Sequence, residues 1–381
     1  MRRRSFTFAL VPLVALLGAF GAAPANAAPS DGYANWTTSG AANAWAGTLS
    51  LPAGFPATTL TSTSRTLGLS GGGSSWLGAD TPAGELVGSS RNKPYLSINP
   101  AANSAGSVST TTFTFATPTP VGVWGAAFGD IDAEVLGVSA TSATGTAVSA
   151  ADLGVTAFNY CLTTTPNPCG GAPGLTPLPT LTGTASGVTA ADPLCPTVAA
   201  NCSTSGASIW VEPAVALSTL TVTSTFASGI PAAQIWFASV ARTVAGVITI
   251  GELPPVTVQL VEPDGDVIAT APTAADGSFT LPPVVPAADY ELRVDPASVP
   301  AGFAAPAPVA VDVSAGDLTT VAAAVVAAPV AVDPPLPAPA LVPAPELAAT
   351  GADVAPIIIG AGVLLVLGVI ALIIGKRRRT P

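Results

Sequence analysis

Apolar and polar positions alternate with a period of two over short stretches of this chain, and no long 3.6-residue period runs outside its two ends. Residues 108–115 set Phe113 and Phe115 among Thr110, Thr112 and Thr114, and residues 220–226 set Leu220 and Val222 among Thr221, Thr223 and Thr225. Successive side chains of a strand point to opposite faces, so each stretch predicts a half-buried strand. Residues 234–240, with Ile235, Trp236 and Phe237, predict another strand, and residues 121–128 a more fully buried one. Gly, Pro and Asn clusters bound these runs. The expectation is all-β: an antiparallel sandwich or jelly-roll head over residues 28–245.

The alternation resumes in residues 256–261, 290–294 and between them, with turns at Pro263-Asp264-Gly265-Asp266 and Asp276-Gly277-Ser278. Residues 246–328 therefore predict a second, smaller β-domain. Tyr290-Glu291-Leu292, followed by Pro300-Ala301-Gly302-Phe303, resembles the closing motif of the prealbumin-like, B-type repeats of Gram-positive adhesins and pilins. That resemblance implies a seven-stranded Ig-like stalk module. Related modules can form an internal Lys to Asn isopeptide bond beside a buried carboxylate. This stretch has no lysine, and Val294 stands where the family's Glu would fall, so no such crosslink can form.

The two ends break the pattern with long apolar runs. Arg2, Arg3 and Arg4 precede an apolar run over residues 6–23, and Ala25-Asn26-Ala27 supplies a small-x-small cleavage pattern, so residues 1–27 read as a secretory signal peptide. Arg3-Arg4-Ser5-Phe6 also resembles a twin-arginine signal, although the length of the apolar run and the cysteines suit general secretion better. At the other end, residues 357–374 form eighteen uncharged positions, about 27 Å as a helix and enough to cross a bilayer core. Lys376, Arg377, Arg378 and Arg379 follow and would stay on the cytoplasmic side, which puts the preceding chain outside.

Between the second domain and that run lies a proline-rich segment, residues 329–346, which reads as an extended spacer through the wall. Then come Leu347, Ala348, Ala349, Thr350 and Gly351. Pentapeptide, apolar span and terminal cations in this order resemble the sorting signal of Gram-positive surface proteins. Ala348 departs from the commoner Pro and matches the LAxTG variant of class E sortases in high-GC Gram-positive bacteria. The resemblance implies cleavage between Thr350 and Gly351, with a class E-like sortase and peptidoglycan as partners. A plain membrane anchor is the competing reading.

Charge narrows the partners. Between the two targeting segments the chain keeps five basic and twenty-one acidic residues, a formal charge of −16. Nucleic acid is excluded as a partner, because gripping a phosphate backbone takes clustered Lys and Arg. Histidine is absent throughout, which removes His-based triads, His-ligated zinc and the commonest general base. The four cysteines fall in close pairs, Cys161 with Cys169 and Cys195 with Cys202. On an exported chain they predict disulfides, with nearest-neighbour pairing the simplest of three connectivities.

Two sets of residues are candidates for chemistry. Asp130, Asp132 and Glu134 stand at alternating positions between two strand candidates, in a segment that resembles the aspartate-rich turns of secreted lectin-like modules. They could ligate calcium, the one cofactor the sequence suggests, or form a solvated turn. All six tryptophans lie in the head; Trp36 and Trp76 sit among Thr, Ser and Gly and are the candidates to stack on a sugar ring, whereas Trp124 and Trp236 read as core. The leading expectation is a non-enzymatic, adhesin-like or glycan-binding surface protein displayed by sortase. The alternatives are a wall-attached hydrolase using Asp130 and Asp132 or Asp132 and Glu134, since retaining glycosidases need two carboxyls about 5 Å apart, and a purely structural coat component.

Overall fold

The computed structural model describes residues 32–162, 169, 177–194, 206–250 and 254–327. Residues 1–27, 329–351 and 357–374, on which the expected signal peptide, spacer, sorting motif and membrane span rest, lie outside the described residues, as do Cys195 and Cys202. Among those that are described, no helix is long and apolar enough to cross a membrane.

The head is all-β, as the alternation predicts. Its first sheet has eight antiparallel strands in the order β1 (Asn35–Ala41), β2 (Ala44–Ser50), β3 (Thr58–Ser62), β6 (Val108–Phe115), β13 (Leu217–Phe226), β8 (Glu134–Ser142), β11 (Gly187–Ala191) and β10 (Thr180–Thr184). The second has six antiparallel strands in the order β4 (Leu67–Ser70), β5 (Tyr95–Ile98), β14 (Ala233–Ser239), β7 (Trp124–Gly129), β12 (Ala207–Val211) and β9 (Val155–Asn159).

The two sheets bury different patterns for a physical reason. In the eight-stranded sheet only one face is covered, so β6 and β13 alternate: Phe113, Phe115, Leu220 and Val222 point inward while the threonines between them face out. In the six-stranded sheet every residue of β7, β12 and β14 is buried, because both faces are covered. One face meets the first sheet around Trp124, Phe128, Ile209 and Phe237. The other is covered by a cluster of Tyr33, Leu77, Ala83, Tyr95, Tyr160, Trp210 and Trp236, to which the short helix α1 (Pro82–Val87) contributes. Thr81 caps that helix, its hydroxyl accepting from the Gly84 amide at 3.2 Å. Trp124 stacks on Phe237 with ring centroids 5.8 Å apart.

A separate apolar cluster starts at Val244, the first residue of β15 (Val244–Thr249). A four-stranded sheet runs β17 (Val267–Pro272), β16 (Thr257–Val261), β19 (Tyr290–Val294) and β21 (Val309–Val311). It packs with a three-stranded sheet of β18 (Ser278–Thr280), β15 and β22 (Leu318–Ala324), in which β15 and β22 are parallel. Seven strands thus form the two sheets, and β20 (Phe303–Ala304) pairs with β23 (Val326–Ala327) in a separate two-stranded ribbon. The predicted turns close as their residues require. Asp264 Oδ1 accepts from the Asp266 amide with Gly265 at φ +99°, and Asp276 Oδ1 accepts from both the amide and the hydroxyl of Ser278 with Gly277 at φ +81°.

The two β-regions are tied together. The β2–β3 connection reaches across so that Ala53 pairs with Val284, its amide donating to Pro283 O at 2.9 Å and its carbonyl accepting from the Val285 amide at 2.8 Å. On the other side of Val284, Arg242 exchanges two backbone hydrogen bonds with it, at 2.7 and 3.0 Å.

Candidate functional site

Asp130 directly follows the fully buried strand β7 and turns the chain toward β8. Its φ is +60°, a left-handed conformation that Asp tolerates better than most side chains. The segment is therefore a tight turn and not the extended strand on which alternate carboxylates would share an outer face. Tyr160 Oη donates to Asp130 Oδ1 at 3.5 Å, and Gln234 Nε2 donates to Asp130 Oδ2 at 3.2 Å. Asp132 and Glu134 are 3% and 1% exposed, so both are turned into the protein. Asp192, at the end of β11, is equally buried and adds a fourth carboxylate; its Oδ1 accepts from the Leu194 amide at 2.7 Å.

Burial dominates the electrostatics of this cluster. It pushes the Asp130 carboxyl up to about 6, with the Tyr160 hydrogen bond opposing. Asp132 rises to about 8, first through burial and then through the charges of Asp130 and Asp192. Glu134 is driven well above the usual carboxylate range by burial, then by Asp132 and Asp130. Its two oxygens lack a hydrogen bond of ordinary geometry, and the nearby amides of Ala232 and Ala133 offset the loss of water only in part. A buried carboxyl without a cation sheds its charge by binding a proton.

The calcium expectation does not fit this arrangement. A calcium ion takes six to eight oxygens, and among the described residues no three Asp, Glu, Cys or His side chains come together as a metal-holding group. The solvated-turn alternative fails as well, since Asp132 and Glu134 are out of water. Tyr160, Gln234 and Asp192 were not foreseen from the sequence, because each comes to the cluster through long-range pairing.

The tryptophans also resolve differently from expectation. Trp36 is 7% exposed and lies in the core, edge-on to Phe113 and Phe237 at 6.2 and 5.7 Å. It cannot offer a face to a sugar. Position explains the error: β1 alternates, and Trp36 takes its inward site while Thr37 faces out. Trp76 is half-buried, with the Arg91 guanidinium over its ring at 4.8 Å, so a cation already occupies one face. Trp124 and Trp236 are core residues, as the sequence suggests.

Cys161 and Cys169 form a disulfide with Cα atoms 5.3 Å apart, as nearest-neighbour pairing predicts. Both pack against the Tyr160 and Trp210 cluster.

No family model and no curated protein matches the chain. Similar solved structures include the T6 backbone pilin of serotype M6 Streptococcus pyogenes, with 9% identity, a TM-score of 0.19, 71% of this chain covered and 63% of that one. The chain thus spans less than two thirds of that pilin's length. The group B streptococcus pilus 2b backbone protein gives 14% identity and a TM-score of 0.19 over 58% of this chain and 93% of its own. The full-length major pilin SpaD from Corynebacterium diphtheriae gives 12% and 0.19 over 72% and 80%.

Proposed function

We propose that this chain is a cell-wall-anchored surface protein whose head binds a partner, with a glycan the preferred class, and performs no catalysis. Export by residues 1–27 is followed by retention through residues 357–374 and the four terminal cations. A sortase cysteine then attacks the Thr350 carbonyl, the Thr350 to Gly351 bond breaks, and the acyl group passes to a peptidoglycan amine. The β-domain of residues 246–328 and the proline-rich spacer hold the head away from that attachment point.

One observation carries the choice between a display protein and a hydrolase. Asp132 and Glu134, on which either carboxylate pair of the hydrolase depends, are 3% and 1% exposed and face into the protein. Neither can stand on one side of a glycosidic bond, which a carboxylate pair must do.

Cell fractionation tests the attachment. Wild-type protein is expected to leave the wall only after muramidase digestion, ending at Thr350 joined to wall peptide. Thr350→Ala is expected to extract with detergent and retain residues 351–381, with export and both β-regions unaffected. Wild-type protein that extracts intact with detergent, in a strain with working sortase, would make the chain a simple membrane anchor.

A further inference from the structure

The outer face of the eight-stranded sheet carries a two-dimensional array of threonines that no part of the mechanism above uses. Cross-strand register lines up Thr37, Thr48, Thr59, Thr114, Thr219 and Thr141 in one unbroken row over six neighbouring strands. With strands about 4.8 Å apart, that row runs about 24 Å. Two residues along each strand, a second row passes through Thr61, Thr112, Thr221 and Ser139. A third passes through Thr110, Thr223, Gly137, Thr189 and Thr182. These side chains are exposed or half-buried, and the hydroxyls of Thr37 and Thr48, at 2.7 Å, and of Thr112 and Thr221, at 3.3 Å, bond across strands.

Two features say what such a face fits. It bears no charged side chain at any outward position of these strands, in a chain whose acidic residues outnumber its basic ones by ten. An ionic partner would find nothing to pair with there. The third row is also interrupted where Gly137 stands: a Cβ at that position would lie 2.5 Å from Thr223 Oγ1. A trough of about 180 Å³ lies beside it, along Gly137, Ser139, Gly187, Thr184, Thr189 and Thr223. Val138, Ser186 and Val188 line it as well, so hydroxyls that donate and accept stand beside apolar groups. A hydroxyl-rich, uncharged chain with a repeating ring satisfies both demands.

We infer that this threonine face is a docking surface for a neutral polysaccharide, with the Gly137 trough seating one sugar ring and the rows tracking its neighbours. The inference rests on the glycan-binding reading of the head and gives it a location away from the tryptophans. A flat mineral-like surface such as ice would use the rows but not the trough.

Wall-released protein, freed by muramidase, is sedimented with insoluble chitin, cellulose and β-1,3-glucan, and with cross-linked polygalacturonate as a charged control. The expected result is retention on at least one neutral polymer and none on the charged one. The pair Thr112→Glu with Thr221→Glu, checked for unchanged circular dichroism and melting temperature, is expected to weaken retention at least about tenfold. Thr182→Glu with Thr189→Glu, at exposed positions of the edge strand β10 and its neighbour β11, serves if the first pair does not fold. Retention that survives both pairs overturns the inference while leaving a glycan-binding head, its site elsewhere. Wild-type protein that binds none of the polymers overturns the inference and the glycan reading together, leaving wall attachment to the fractionation result. Inhibition of ice recrystallisation without polysaccharide retention overturns it in favour of a hydrate-binding face.

Discussion

At the scale of single residues, the carboxylate cluster has the largest consequence. In the unfolded chain Asp132 titrates near 4, and in the fold near 8, so between those values the folded state binds more protons. Stability then falls as pH rises through this window, by about 1.4 kcal/mol per pH unit for each proton fully retained. Asp130, raised to about 6, adds to the fall over the lower part of the same range. The protein is therefore expected to melt at a lower temperature at pH 9 than at pH 5, and Asp132→Asn to flatten that dependence and raise the melting temperature at pH 9. Thermal denaturation across pH checks this; a melting temperature equally pH-dependent in the variant would place the proton uptake elsewhere. Aspartate-rich spacing was legible in the sequence, but its meaning was not. Whether Asp132 meets water depends on Asp192 and the strands around it, which lie far along the chain.

Among the elements, the disulfide loop and the two sheets obey different rules. The Cys161 to Cys169 bridge closes a short excursion at the end of β9, where both cysteines pack on Tyr160 and Trp210. Constraining a loop of this size stabilises by about 2–3 kcal/mol, chiefly by restricting the unfolded chain. Cys161→Ser with Cys169→Ser is expected to lower the stability of the head by that amount in denaturant titration, without loss of β-structure. A midpoint unchanged by the double substitution would mean the bridge is ornamental. The strands themselves were legible with good bounds: residues 108–115 and 290–294 form β6 and β19 as predicted, and residues 220–226 form most of β13. Alternation fixes a strand locally, whereas the number of covered faces depends on what packs above it. That difference explains why the apolar run at 234–240 gave a strand, β14, but not the layer of aromatic residues and helix α1 that covers its second face.

For the described molecule as a whole, the pairing of the β2–β3 connection with the Val284 segment couples the two β-regions. Gly54 adopts φ +85°, and a Cβ there would meet Tyr290 Oη at 2.5 Å and Val285 Cγ2 at 3.2 Å. Tyr290 Oη donates to Val285 O at 3.1 Å, so the same side chain that begins β19 also holds the segment on which Ala53 pairs. Gly54→Val combines left-handed backbone strain, about 1–2 kcal/mol, with that steric overlap. Its expected effect is faster amide exchange at Ala53 and Val285, with protection inside β6 and β13 unchanged. Equal exchange at Ala53 and Val285 in both proteins would show that the connection bears no part of the coupling. By itself the sequence determined the class of the fold, the residues that alternate within each strand, and the turns at Asp264 and Asp276, because each is set by residues close together in the chain. Only the tertiary structure decided that Trp36 is core, that Asp132 and Glu134 turn inward, and that threonines as far apart as Thr37, Thr114 and Thr219 fall into one row. Those outcomes depend on strand register and on what covers each face, which arise from pairing between segments separated by many tens of residues.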